Sequence, residues 1–137
     1  MKLSTKGRYG LAVVILLNRH KGQTTSLLSI STSLDLSKIY LEQILAVLKS
    51  HQIVSSIKGP TGGYFIKTES HFTVFDVLSV LEPNLTSDDI SSPQKTLGAL
   101  LEEKVYYPLS QSVQSTLASI SIDELSGSLN DEAMYYI

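Results

Sequence analysis

The chain has no cysteine in its 137 residues. That absence excludes disulfides, thiolate metal sites, iron–sulfur clusters of the usual kind and thiol nucleophiles. Nor is there any apolar run approaching the roughly 20 residues that a membrane-spanning helix needs. The first ten residues, MKLSTKGRYG, contain neither a continuous hydrophobic segment nor a cleavage site, so no export signal is expected and a cytoplasmic location is. Three histidines, His20, His51 and His71, are scattered without ligand spacing. The adjacent acids Asp88 and Asp89 suit a solvated turn better than acid–base catalysis. With every test for a catalytic site failing, no enzyme is expected and no cofactor is implied.

What is present is a polarised charge distribution hidden by a net charge of −2. Residues 1–68 hold nine Lys and Arg against Asp35 and Glu42, while residues 69–137 hold Lys95 and Lys104 against eleven acids. A basic half joined to an acidic half points to a polyanion-binding module with a second element attached. Hydrophobic residues make up 42% of the chain, sufficient for the core of one domain.

Hydrophobic spacing orders the elements. Ser4 or Thr5 caps a first helix running to about His20, with Tyr9, Leu11, Ala12, Ile15 and Leu16 on its apolar face. Ser26 caps a short second helix with Leu27, Leu28, Ile30 and Leu34 inward. Asp35-Leu36-Ser37 makes a tight connection to a third helix ending near His51. There Leu41, Ile44, Leu45 and Leu48 share one face, and the opposite face presents Ile39, Gln43, Ala46 and Ser50. This is helix-turn-helix patterning. The following stretch, IKGPTGGYFIK, bends at Gly59–Gly63 between short alternating segments and reads as a β-hairpin. A helix-turn-helix followed by a hairpin is a winged helix. The glycines are followed by Tyr-Phe-Ile, not by Lys-Ser/Thr opening a helix, so the stretch is not a nucleotide-phosphate loop.

Thr73-Val-Phe-Asp76 opens a further helix by a capping box, with Val74, Val77, Leu78 and Leu81 inward and Glu82-Pro83 at its end. A polar loop over Asn84–Ser92 leads to Ser92-Pro93, a helix start. From there Leu97, Leu101, Val105, Leu109, Val113 and Leu117 run to Ile120. A helix of this length is too one-sided to be packed by a small winged helix alone, and a homodimer contact explains it. Pro108 is expected to kink or split it. Ser121 to Glu124 restarts a short helix that Gly127 ends, followed by the tail SLNDEAMYYI. The expected organisation is therefore mainly α with a small β-hairpin. A winged helix-turn-helix DNA-binding domain spans 1–83, a loop 84–92, a dimerisation helix 93–120, and a short helix with the C-terminal tail 121–137.

Chemistry assigns roles on that frame. At the start of the third helix, next to Ser37, Glu42 suits a cytosine amine, Gln43 an adenine edge and Ile39 a thymine methyl. Lys6, Arg8, Lys38, Lys49 and Lys58 suit phosphates. Gly59, Gly62 and Gly63 leave the wing tip almost bare, so its backbone can approach a duplex closely. Two plainer readings stand beside these: Glu42 pairs with Lys38 or Lys49 on a solvated face, and Tyr40 packs internally.

Three segments in order, MKLSTKGRYGL at the start, YLEQIL at 40–45 and VSSIKGPTGGYFI at 54–66, resemble the Rrf family of bacterial winged-helix regulators. The resemblance covers nearly the whole chain. It implies a homodimer on palindromic double-stranded operator DNA, with the wing in the minor groove and the long helix pairing subunits. Two departures stand out. Cluster-binding members carry three cysteines in the loop that here reads NLTSDDISS, so no iron–sulfur cluster is expected. The arginine usual before the first wing glycine is Lys58, which keeps the charge and loses the planar fork. The terminal AMYYI is similar to that of cluster-free members that repress cysteine and sulfur metabolism genes. It implies control by association with cysteine synthase (O-acetylserine thiol-lyase), with the Ile137 carboxylate in that enzyme's active-site pocket and Tyr136 at its mouth. An apolar end on an acidic stalk also fits packing on a dimer partner. The alternative function is a regulatory or scaffolding subunit acting through its tail without binding DNA.

Overall fold

The computed structural model describes residues 3–85 and 95–129. Helix α1 (Thr5–Arg19) runs through the middle of the molecule. Its N-cap is Ser4, whose hydroxyl accepts from the Gly7 N–H at 3.0 Å. Around it lie α2 (Leu27–Leu34), α3 (Lys38–Ser50), strands β1 (Ser55–Ile57) and β2 (Gly63–Phe65), and α4 (Val74–Leu81). The two strands are antiparallel, with Ser55 opposite Phe65 and Ile57 opposite Gly63. Then come α5 (Lys95–Leu101), a π-helical turn (Glu102–Tyr106), α6 (Tyr107–Ala118) and α7 (Ile122–Ser128). No described helix is long and apolar enough to cross a membrane.

One core serves the first half of the chain and α7 together. Val13, Val14 and Leu17 of α1 meet Ile30, the α3 residues Leu41, Ile44, Leu45 and Leu48, Ile66 from the end of the wing, Val77 and Leu78 of α4, and Ile122. Because α2, α3, α4 and α7 all pack on α1, that helix buries more than the single face its spacing predicts, including Val13, Val14 and Leu17. Helix α2 buries less: Leu28, expected inward, is exposed, since only Ile30 and Leu34 reach the core fully. The capping box of α4 forms, with Thr73 and Asp76 exchanging side-chain bonds to each other's backbone N–H at 3.1 and 2.8 Å.

Pro108 does not divide the long helix. Leu101 and Tyr107 on either side of the π turn are both right-handed helical, and the Tyr107 N–H reaches back to the Glu102 carbonyl. Proline lacks the N–H that the carbonyl four residues earlier would accept and crowds that carbonyl. Widening the preceding turn to five-residue bonds relieves both problems. The short final helix continues one residue beyond Gly127, to Ser128. The expected helix start at Ser92-Pro93, most of the loop before it and the tail from residue 130 lie outside the described residues.

After the long helix the chain is fastened back onto the first half. The Val74 N–H donates to the Ile120 carbonyl and the Ile122 N–H to the Phe72 carbonyl, both at 2.9 Å. Asp123 then accepts from His71 Nδ1 at 2.7 Å, Asn18 Nδ2 at 2.9 Å and Lys21 Nζ at 3.0 Å. These bonds, His71 first and Asn18 next, hold the Asp123 carboxyl well below the usual carboxylate range, against an opposing desolvation. Because the folded value is depressed, the stabilisation is present above the unfolded carboxylate pKa of about 4 and is lost as pH falls below it. Asp123→Asn is expected to lower stability at pH 7 by about 1 kcal/mol, allowing for partial exposure. Urea unfolding checks this, and the difference from the unsubstituted chain narrows below about pH 4.

Candidate nucleic-acid interface

The turn between α2 and α3 is built from three residues with separate tasks. Asp35 takes a left-handed conformation (φ 53°, ψ 49°), one of the few that aspartate tolerates better than most side chains. Leu36 donates its N–H to the Ser31 carbonyl at 3.1 Å. Ser37 caps α3 by accepting from the Tyr40 N–H at 3.2 Å. The hydroxyl of Ser37 is thus engaged in the cap while the residue stays exposed. Below the turn, Leu41, Ile44, Leu45 and Leu48 are fully buried, and Tyr40 meets Tyr9 edge-on with ring centroids 6.2 Å apart. Tyr40 is a packing residue that ties α3 to α1.

The outward face of α3 is left uncovered. Ile39, Glu42, Gln43, Ala46 and Ser50 are exposed, Ile39 by 74%. A β-branched apolar side chain that far into water is a poor surface choice unless something covers it. Glu42 pairs with neither Lys38 nor Lys49, and Gln43 has no partner among the described residues. Lys38 and Lys49 are exposed and form no ion pair there either.

The wing stands beside this face because it is hydrogen-bonded to the start of α2. The Thr25 N–H donates to the Tyr64 carbonyl at 2.8 Å and the Tyr64 N–H returns to the Thr25 carbonyl at 2.9 Å. Thr25 immediately precedes the α2 cap, Ser26, so wing and helix-turn-helix move as one piece. The glycines divide by task. A Cβ on Gly63 would overlap the Thr25 carbonyl, so only glycine lets the two backbones approach. Gly62 closes the turn by donating to the Gly59 carbonyl at 3.0 Å, with the Ile57 carbonyl against it. Gly59 has φ +113° with open space around it, at the tip beside exposed Lys58.

Lys6 and Arg8 lie exposed on the first turns of α1. That end is clamped by Glu82, whose carboxylate accepts from the Ser4 N–H at 2.7 Å and its hydroxyl at 2.6 Å. Neither this clamp nor the Thr25–Tyr64 pair has a local sequence signal, because each joins residues far apart in the chain. Lys21, counted with the basic half, is instead held by Asp123 at 3.0 Å. The structure thus brings Ser37, Lys38, Ile39, Glu42 and Gln43 onto one exposed helix end, with Lys49 at the other end of α3, and places Lys58 and Gly59 at the wing tip. Tyr136 and Ile137 lie outside the described residues.

A helix-turn-helix, a hairpin docked to it and a long following helix match a known family over residues 3–128, that of Rrf2, described as an iron-dependent transcriptional regulator. The chain belongs to the Rrf2 family. The HTH-type transcriptional regulator CymR of Bacillus subtilis is 32% identical to it over 142 aligned positions, covering all of both chains. IscR of Xenorhabdus nematophila is 30% identical over 129, covering 91% of this chain and 79% of its own. Among solved structures, that of CymR, the global cysteine regulator of B. subtilis, superposes with a TM-score of 0.78 at 30% identity, over 95% of this chain and 99% of that one. T. potens IscR gives 0.68 at 30%, over 99% and 97%. These relatives are regulators and not enzymes. This Rrf2 member has no cysteine, and its described residues contain no cluster of His, Asp and Glu able to hold a metal ion, so they do not fit iron or an iron–sulfur cluster.

The two glycine tasks are separable by mutation. Gly63→Ala is expected to cost about 1–3 kcal/mol, through the clash with the Thr25 carbonyl, and to accelerate hydrogen exchange at the Thr25 and Tyr64 amides. Gly59→Ala is expected to cost only the roughly 1 kcal/mol of a strained φ, with those two amides unchanged.

Proposed function

We infer that this Rrf2 protein is a dimeric repressor that binds palindromic duplex DNA upstream of cysteine and sulfur metabolism genes. The observation that carries the reading is the uncovered end of α3, where Ile39, Glu42 and Gln43 have no intramolecular partner beside a lysine-flanked wing. An α-helix fits the major groove, where Gln43 matches an adenine edge, Glu42 the amine of cytosine and Ile39 a thymine methyl. Lys6, Arg8, Lys38, Lys49 and Lys58 hold phosphates, with Ser37 at the helix start and Gly59, Gly62 and Gly63 letting the wing backbone come close. The metabolic assignment draws on the full-length likeness to CymR, named for global cysteine regulation.

Control is assigned to cysteine synthase through Tyr136 and Ile137. This part of the reading is supported by the resemblance of AMYYI to the ends of cysteine-metabolism repressors. A free C-terminal isoleucine offers a carboxylate and a small apolar side chain to an amino-acid pocket.

Two measurements test the two halves. Glu42→Ala with Gln43→Ala is expected to reduce operator preference over random duplex by about 10- to 100-fold or more while leaving non-specific affinity nearly intact. Unchanged preference removes α3 as the reader. Deleting Tyr136 and Ile137 is expected to abolish capture of purified cysteine synthase without altering the sedimentation of the repressor. Equal capture by the truncated chain removes the tail assignment.

A further inference from the structure

Five of the eight large hydrophobic residues exposed in the described structure lie on one element, the helix over 95–118: Leu97, Leu100, Val105, Tyr107 and Leu109. Further along the same helix Ser112, Val113, Thr116 and Leu117 line a shallow, largely apolar groove. Whether the protruding leucines and the groove share a face depends on the π turn between them.

On an uninterrupted α-helix each residue turns about 100°, which places Leu100 at about −60° and Leu109 at about +120° relative to Leu97, on opposite sides. The π turn takes up one extra residue and sets everything beyond it back by about 100°. Leu109 then falls at about +20°, Ser112 at about −40°, Val113 at about +60° and Thr116 at about 0°. Leucines and groove now occupy one face. No charged residue falls within that window, since Glu102 and Glu103 turn to the back of the helix.

We propose that the π turn, enforced by Pro108, is the register-setting device of a two-fold helix contact in which the leucines of one copy seat in the groove of another. The proposal rests on the dimeric reading above and specifies its pairing. A two-fold interface must be complementary to itself, so that residue i meets j and j meets i. This face meets that condition when two helices run antiparallel about the π turn. Leu97 then lies opposite Thr116 of the second copy, Leu100 opposite Ser112, Leu101 opposite Val113 and Val105 opposite Leu109, each pair on the same side of the contact. Large residues meet small or branched ones at both ends. The area is of the right size: five side chains about half exposed present on the order of 500 Å² of surface, more than half of the roughly 800 Å² that each partner gives a standard interface. A patch that large is at the upper limit for a monomer.

The absence of native cysteine makes disulfide trapping a clean test. In a chain carrying Leu100→Cys and Ser112→Cys, the two thiols sit about 18 Å apart along their own helix, too far to bridge within one copy. Mild oxidation is expected to give a covalent dimer, whereas either substitution alone gives none. If the unsubstituted chain sediments as a dimer yet the double variant does not cross-link, the pairing fails and the dimeric reading stands. If the unsubstituted chain is monomeric, the dimeric reading itself fails. The role of the π turn is tested by adding Pro108→Ala and deleting Lys104 in the cross-linking chain. Removing the extra residue leaves a straight α-helix of unchanged phase, so the cross-link is expected to persist. Its loss from a folded dimer overturns the role given to the π turn.

Discussion

Two backbone hydrogen bonds between Thr25 and Tyr64 govern the geometry of the proposed DNA face. A hairpin of three residues per strand is not stable alone in water. Here it is anchored along one edge by the residue preceding the α2 cap, and Gly63 is the position that lets the two backbones meet. From that anchor the chain passes through Ser26, α2 and the left-handed Asp35 into α3. The distance between wing tip and reading helix is therefore set by short covalent and hydrogen-bonded links, not by side-chain packing. Rigidity of this kind is what a reader of a fixed half-site requires, because contacts to bases and to phosphates must be satisfied together.

The rest of the molecule is held to this unit by a second set of bonds. The pair linking Val74 to Ile120 and Phe72 to Ile122, buried Ile122 and the Asp123 cluster return the chain from the long helix to α1. Lys21, a cation of the basic half, meets Asp123, an acid of the other half, at this junction. The charge asymmetry of the sequence thus has two outcomes. Most lysines of the first half stay unpaired and exposed, and one is spent on joining the halves. A long helix fixed at its C-terminal end to the winged body can set the separation of two reading helices when two copies associate.

Much of this frame was legible in the sequence, and the reasons differ by element. Caps at Ser4, Ser26, Ser37, Thr73 and Ser121 are local chemistry, so each helix start they mark falls where the spacing places it. The α3 faces were legible because four leucine and isoleucine positions repeat at helical spacing. Leu28 was misplaced, because α2 is too short for periodicity to separate a fully buried position from an exposed one. The consequence of Pro108 was not legible: a kink, a break and a π turn are all ways to satisfy the same lost hydrogen bond. The Ser4–Glu82 clamp and the Thr25–Tyr64 pair could not be seen at all, being contacts that only the folded chain creates.

The central claim is that the basic half grips a duplex with α3 in one groove and the wing beside it. Selection of bound sequences from random double-stranded DNA by the purified protein at low ionic strength tests it most directly. The expected result is enrichment of a two-fold symmetric site with half-sites about one helical turn, 10–10.5 base pairs, or a multiple apart. No enrichment of any duplex sequence, alone or with cysteine synthase present, contradicts it.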